Sequence, residues 1–379
     1  MPTGAAAPLF YFLISILCFL SWGGCAAPGD PRPPHPPVPA AITDLAARQT
    51  GDSVVLTFTL PNTTVENEPL NGPPAVEIFR SFAPATALPA AAGAPKTLVY
   101  TVPSALVDTY IVEGRVRFPD PIAADDLAKH AGDHAIYMVR TRASKRADSA
   151  DSNPAAVRIF LAPEPVRDVS ARVTRSAVEL SWTAPEQNTA GKPLPPLTAY
   201  HVYRAEVAQG AEAEKDPAKA KLQSPFELLG VTPSAGYRDT QFQFGLTYVY
   251  SVRSVAQFES ESVESADSKL VVVSPRDVFP PAPPQDLVAV VVPATAQAPA
   301  HIELSWSISP EPDIAGYNIY RSEAGGAPRQ RLNPGLLLPP VFHDMSTVPG
   351  RSYTYTVTAV SRAGNESEPS VAVPAVMPE

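Results

Sequence analysis

The sequence predicts an all-β chain, a tandem array of three β-sandwiches behind an apolar leader and a proline-rich tether. Three observations carry this reading. The 379 residues include 46 prolines against 20 glycines, and an interior proline removes a backbone donor and clashes with the preceding turn, so long helices are disfavoured. Short segments alternate apolar and polar side chains, the period-two mark of a half-buried strand. Those segments then recur along the chain. The length accommodates two or three domains with cores of their own, and 45% hydrophobic content is ordinary for globular material. A net charge of −9 speaks against nucleic acid and against electrostatic docking on anionic lipid, since both need a basic surface.

The leader comes first. Leu9 to Leu20 reads LFYFLISILCFL, shorter than the roughly 20 apolar residues of a comfortable membrane span but suited to the apolar region of a signal peptide. Gly23, Gly24, Cys25, Ala26 and Ala27 follow. Gly23, Gly24 and Cys25 resemble the lipobox of bacterial lipoproteins, although Trp22 stands where leucine is usual. The resemblance implies acylation of the Cys25 thiol by palmitate-type chains and cleavage ahead of it, leaving 1–24 as the signal peptide. It also implies residence in a bacterial cell envelope, at the outer membrane and facing periplasm or surface, because Ala26 rather than Asp follows the cysteine. Conventional cleavage and an uncleaved anchor are the other two readings of this stretch. Residues 25–40 form the lipidated cysteine and tether: AAPGDPRPPHPPVPA favours extended polyproline II, a semi-rigid spacer. No cysteine follows residue 25, so the folded part has no disulfides.

The repeats define the rest. VELSW (178–182) matches IELSW (302–306), YHVYR (200–204) matches YNIYR (317–321), and GLTYVYSVRSV (245–255) matches GRSYTYTVTAV (350–360). A divergent earlier copy reads VVLTF (54–58), VEIFR (76–80) and HAIYMVRTR (134–142). Val178, Leu180 and Trp182 share one strand face, as do Ile302, Leu304 and Trp306. At these residues the chain resembles the fibronectin type III module, an immunoglobulin-like β-sandwich of about seven strands. The resemblance implies that Trp182 and Trp306 fill the core from the second strand. It also implies that the hydroxyls of Tyr248 and Tyr353 bond back to the corner backbone. The first copy has Phe58 for the tryptophan, Ala135 for the corner tyrosine with Tyr137 at the next inward position, and a long excursion between Arg80 and His134. The modules span 41–163, 164–276 and 277–379. LAPEP (161–165) and SPRDVFPPAPP (274–284) are the joints, stiffened by proline. Short helical inserts are expected only at Ala123 to His130 and in the charged segment from Ala211.

Chemistry is sparse. The chain carries no Gly-x-Ser-x-Gly elbow, phosphate loop or Cys-x-x-Cys pair. His130 and His134, with Asp126 nearby, have helical spacing for zinc, but a polar surface helix explains them more simply. His343 in FHDMS looks like part of a His–Asp–Ser set, yet YRDT and FPDP occupy the equivalent place, so the shared residue is aspartate. Asp120, Asp239 and Asp344 are therefore read as turn residues bonding their own backbone. Tyr203, Tyr320 and Phe79 each precede an arginine and offer an aromatic face for sugar or peptide. No catalytic residue, cofactor or metal is expected. The expected role is a non-enzymatic, lipid-anchored array that spaces, scaffolds or binds a protein or glycan partner. The alternative is a carbohydrate-binding accessory of a hydrolase system.

Overall fold

Period-two patterning becomes strand at the repeated segments. The computed structural model describes residues 37–86, 97–208, 221–259, 261–296, 298–323 and 329–379. Cys25, the leader, most of the tether and 211–220 of the charged segment lie outside them. Two compact units divide at Leu161/Ala162, the first holding the first module and the second holding the other two. Among the described residues no helix is long and apolar enough to cross a membrane.

The first module runs β1 (Ala46–Thr50), β2 (Ser53–Phe58), β3 (Ala75–Ala83), β4 (Thr97–Val102), β5 (Ile111–Val112), β6 (Arg115–Pro121), β7 (His134–Ser144), β8 (Ala147–Asp148) and β9 (Ala155–Arg158). The second runs β10 (Arg167–Val173), β11 (Val178–Thr183), β12 (Leu197–Glu206), β13 (Glu227–Thr232), β14 (Gly236–Asp239), β15 (Tyr248–Phe258), β16 (Glu261–Glu264) and β17 (Val271–Val273). The third runs β18 (Val288–Val292), β19 (His301–Ser305), β20 (Ile314–Glu323), β21 (Gln330–Arg331), β22 (Val341–Asp344), β23 (Ser352–Ser361) and β24 (Val373–Val376). In each module a smaller antiparallel sheet joins three strands: β1-β2-β6, β10-β11-β14 and β18-β19-β22. A larger sheet is built on β4-β3-β7, β13-β12-β15 and β21-β20-β23. This is the strand order of a fibronectin type III-like sandwich.

Each sandwich closes its own apolar core. Trp182 and Trp306 are 7% and 5% exposed, and each meets a tyrosine edge-on at 5.3 Å, Tyr200 and Tyr317 respectively. Such pairs add about 0.5–1.5 kcal/mol to the burial itself. Phe58 holds the tryptophan position of the first module and is fully buried. The backbone N–H of Gln243 donates to the Tyr248 hydroxyl at 3.0 Å, and that of Val348 to the Tyr353 hydroxyl at 2.9 Å. These bonds pin the corner.

The long excursion of the first module belongs to its sandwich. It contributes β4 and β6, the counterparts of β13 and β14, together with α1 (Ser104–Val107) and α2 (Ala124–Lys129). The second helix falls within the stretch Ala123 to His130 that the sequence marks. Asp125 and Asp126 lie in its first turn and Lys129 in its last, charges that complement the helix dipole. Its Leu127, with Val102 and Val107, is buried in the core.

The inward aspartates do more than the sequence suggests. Asp239 and Asp344 do bond the backbone two residues on, accepting from the N–H of Gln241 and Ser346 at 2.8 and 3.0 Å. At the third position Pro121 follows Asp120, and the N–H of Ile122 goes to the Asp52 carbonyl instead. Yet the Oδ2 of all three aspartates crosses the sandwich. It accepts from an arginine and a tyrosine of the larger sheet: Arg80 and Tyr137 at 2.7 and 2.8 Å, Arg204 and Tyr250 at 2.7 Å each, Arg321 and Tyr355 at 2.7 and 2.8 Å. The arginine lies directly opposite its tyrosine in every case. Arg204 and Arg321 also cover the rings of Tyr248 and Tyr353, each at 4.8 Å.

Burial by itself would raise the Asp344 carboxyl, but bonds from Ser346, Tyr355 and Arg321 outweigh it and hold the group below its ordinary value. A carboxyl depressed in the fold contributes stability that is complete above the unfolded value of about 3.9 and is lost as pH falls through the folded one. Urea unfolding followed by hydrogen exchange in β23 should therefore show the third module weakening below about pH 4. Asp344→Ala, which strands a buried guanidinium, should cost it about 3–5 kcal/mol at neutral pH. Tyr355→Phe should cost about 1–3 kcal/mol.

Candidate functional site

Because side chains alternate along a strand, an arginine turned inward at 80, 204 and 321 leaves Phe79, Tyr203 and Tyr320 on the outer face of the larger sheet. In the second module the Arg253 guanidinium lies over the Tyr203 ring at 4.6 Å. The Tyr203 hydroxyl donates to Glu264 Oε2 at 3.3 Å. His201 Nδ1 lies 2.8 Å from the same carboxylate and Arg253 Nη1 donates to it at 3.1 Å. Arg253 also grips Asp267, through Nε at 2.8 Å and Nη2 at 3.0 Å. Burial works to raise the Asp267 carboxyl, but the bonds and charge of Arg253 prevail and lower it.

The third module repeats the design with different residues. Tyr320 donates to Glu366 Oε1 at 2.8 Å, Asn318 Nδ2 donates at 3.1 Å, and Thr358 donates as well. Arg329 stands over the Tyr320 ring at 3.7 Å. In the first module Arg140 covers Phe79 at 5.3 Å, and Arg142 bridges Glu77 and Asp148 at 2.6 Å each. Tyr203 and Tyr320 are half-buried, with one ring face under an arginine and the hydroxyl bonded to a glutamate. The arrangement is an outward aromatic–arginine–carboxylate surface that can meet a partner.

A serine pair, absent from the sequence reading, positions these carboxylates. Asp148, Glu264 and Glu366 open the strings DSADS, ESADS and ESEPS. The two serines of each string take the backbone N–H groups of the neighbouring strand on their hydroxyls. Ser149 and Ser152 accept from Thr141 and Val139, Ser265 and Ser268 from Ser254 and Val252, Ser367 and Ser370 from Ala359 and Val357, all at 2.9–3.0 Å. Each serine N–H returns a bond to the carbonyl of the same strand residue. Hydroxyls thus complete a ladder where the chain has left strand geometry, and the acidic residue ahead of them is fixed over the sheet. The repeated acidic–Ser-x-x-Ser string is the available signal.

Two further groups concern ligands. A cleft of about 380 Å³ in the first module is lined by Arg80, Phe82, Thr97, Val99, Asp126 and His130. His130 stacks flat on Phe82 at 4.3 Å and its Nδ1 lies 3.1 Å from Asp133. Among the described residues, the group of three able to converge on a metal includes neither His130 nor His134. It consists of His301, Glu303 and His343, whose ligand atoms all lie within 4.8 Å of one another. In the sequence His343 is only the neighbour of the turn aspartate Asp344, and His301 belongs to no motif. The signal is the His-x-Glu alternation opening β19, legible only with the β19–β22 register.

No family model matches the chain. Exoglucanase B of Cellulomonas fimi is 29% identical over 208 residues, 53% of this chain and 15% of the relative. An amylopullulanase of Thermoanaerobacterium saccharolyticum is 38% identical over 90 residues, 23% of this chain and 7% of the relative. The chain therefore spans under a sixth of the length of either curated relative. Among solved structures, the FN1–FN3 domains of chicken CNTN1 align with 90% of this chain and 100% of their own, at 15% identity and a TM-score of 0.25.

Loss of one hydroxyl should expose the serine ladder's contribution. Ser370→Ala leaves the buried N–H of Val357 without its side-chain acceptor and should destabilise the third module by about 1–3 kcal/mol. Thermal unfolding of the full chain checks this, with Ser370→Thr as the control that retains the hydroxyl. Equal melting of Ser370→Ala and wild type would refute the ladder's contribution.

Proposed function

We propose that the chain is a non-enzymatic lipoprotein of the bacterial cell envelope, held to a membrane by acyl chains on Cys25. It presents three fibronectin type III-like modules as a spacer, scaffold or protein-binding surface. The observation that carries this reading is the threefold sealed interior. Each sandwich commits its inward arginine and its buried aspartate and tyrosine to one another, and outward polar groups of the larger sheet bond among themselves. Such a unit is suited to presentation rather than to turnover. More than one acyl chain is needed for lasting attachment, which is the product the lipobox resemblance implies, and a proline-rich tether would hold the first module clear of the bilayer.

The names of the two curated relatives favour a second reading, a carbohydrate-binding accessory of an extracellular or periplasmic hydrolase system. Short matches to much longer enzymes are what shared non-catalytic modules produce. In this reading the Tyr203 and Tyr320 rings would stack on sugar with the face that arginine leaves.

Metabolic labelling with a palmitate analogue tests the anchor. Wild type should take up label and partition with membranes, and Cys25→Ser should do neither; an unlabelled wild type defeats the proposal. On a saccharide array the first reading predicts no specific binding. Dose-dependent binding that disappears in Tyr320→Ala would establish the second.

A further inference from the structure

We infer that the outer face of β19 and β22 in the third module is a binding site for one divalent transition-metal ion of the zinc class, held by His301, Glu303 and His343. The inference is independent of the lipid anchor. His301 and Glu303 are two apart on β19 and so share one face, opposite to the inward Ile302 and Leu304. The β22 register sets His343 directly across from Glu303. The two imidazoles stand 5.3 Å apart between ring centroids, and all three groups can offer ligand atoms within 4.8 Å of one another.

Three details fit a metal rather than a chance cluster. Zinc bonds of about 2.0–2.2 Å at tetrahedral angles place neighbouring ligand atoms roughly 3.3–3.5 Å apart, and His343 Nε2 lies 3.5 Å from Glu303 Oε2. His301 Nδ1 lies 3.0 Å from the Pro299 carbonyl oxygen. A carbonyl can only accept, so Nδ1 carries the proton and Nε2 keeps the free lone pair. That is the outer-shell bond that fixes metal-binding imidazoles. His301 is also buried while Glu303 and His343 are more exposed, so one ligand is fixed in place and the other two can close the remaining distance by side-chain rotation.

The other modules use these positions differently. In the second module they are Ala177, Glu179 and Arg238, and Glu179 is held by Arg172 at 2.7 Å. In the first they are Ser53, Val55 and Pro119. Two of the chain's six histidines thus meet where neither sister module has one. Two imidazoles and one carboxylate favour zinc over the all-oxygen shells that calcium and magnesium take. Three protein ligands leave a fourth position to solvent.

The test uses the full chain in detergent, with zinc titrated against a chromophoric chelator and cobalt(II) as a spectroscopic probe. Wild type should compete for zinc and give the visible bands of four-coordinate cobalt. His343→Ala and Glu303→Gln, both at accessible side chains, should each weaken zinc by roughly tenfold or more and abolish the cobalt bands. The His130→Ala/His134→Ala double variant should bind as wild type does. His301→Ala should also lose binding, but its ring is buried, so circular dichroism must first show an intact fold. Absence of competition by wild type overturns the site, as does unchanged affinity in both His343→Ala and Glu303→Gln.

Discussion

A buried carboxylate that must be shared between two sheets constrains everything else in these modules. No cysteine follows Cys25, so no disulfide joins the two sheets of any sandwich. The strand β6, β14 or β22 of the smaller sheet instead carries an inward aspartate opposite Val54, Val178 or Ile302 of its neighbour β2, β11 or β19. Its Oδ2 is satisfied only if an arginine and a tyrosine from the other sheet arrive together. A buried charge left alone costs several kcal/mol, although the intact set need not be more stable than a well-packed apolar replacement. The benefit is registry. One residue of slip in the larger sheet would turn the arginine outward and strand the aspartate.

Fixing the inner register fixes the outer one. With Arg80, Arg204 and Arg321 inside, positions 77, 79, 201, 203, 318 and 320 must face out, as must 140, 253 and 358 on the neighbouring strand. Their chemistry is free to differ because no core contact depends on it. Glu77, His201 and Asn318 occupy one equivalent site, and Arg140, Arg253 and Thr358 another. The carboxylates Asp148, Glu264 and Glu366 are retained at the edge, since the serine pairs behind them complete the ladder. Repeated interiors therefore carry variable faces within a single chain.

Much of this was legible in the sequence, and what was not has a physical cause. Strand patterning and internal repetition expose the sandwiches, because inward positions are read by hydrophobicity alone. Trp182, Trp306, Tyr248 and Tyr353 lie buried in their cores. The aspartates are legible only by half: a turn bond is local and follows from spacing, whereas a partner 40 residues away, as Arg80 is from Asp120, requires the sandwich to exist. The serine strings stay unread for the same reason. Their hydroxyls complete a ladder to another strand, and only the repetition of the string points to it. Tyr203 and Tyr320 look like open rings because sequence shows the aromatic but not the arginine laid across it.

The histidine cluster follows from the same separation of inside and outside. Ile302 and Leu304 belong to a core the repeats preserve, so His301 and Glu303, on the opposite face, can change without cost to the apolar interior. The first two modules place serine, alanine, valine and proline among the equivalent positions, and their sandwiches close just as well. What the third module gains there is a pair of nitrogen donors beside a carboxylate, on a sheet that the cross-sandwich aspartate of β22 already holds in register. Asp344 faces inward to Arg321 and Tyr355, and its neighbour His343 must then face outward. The residue that locks the fold thereby aims the one that can bind a ligand.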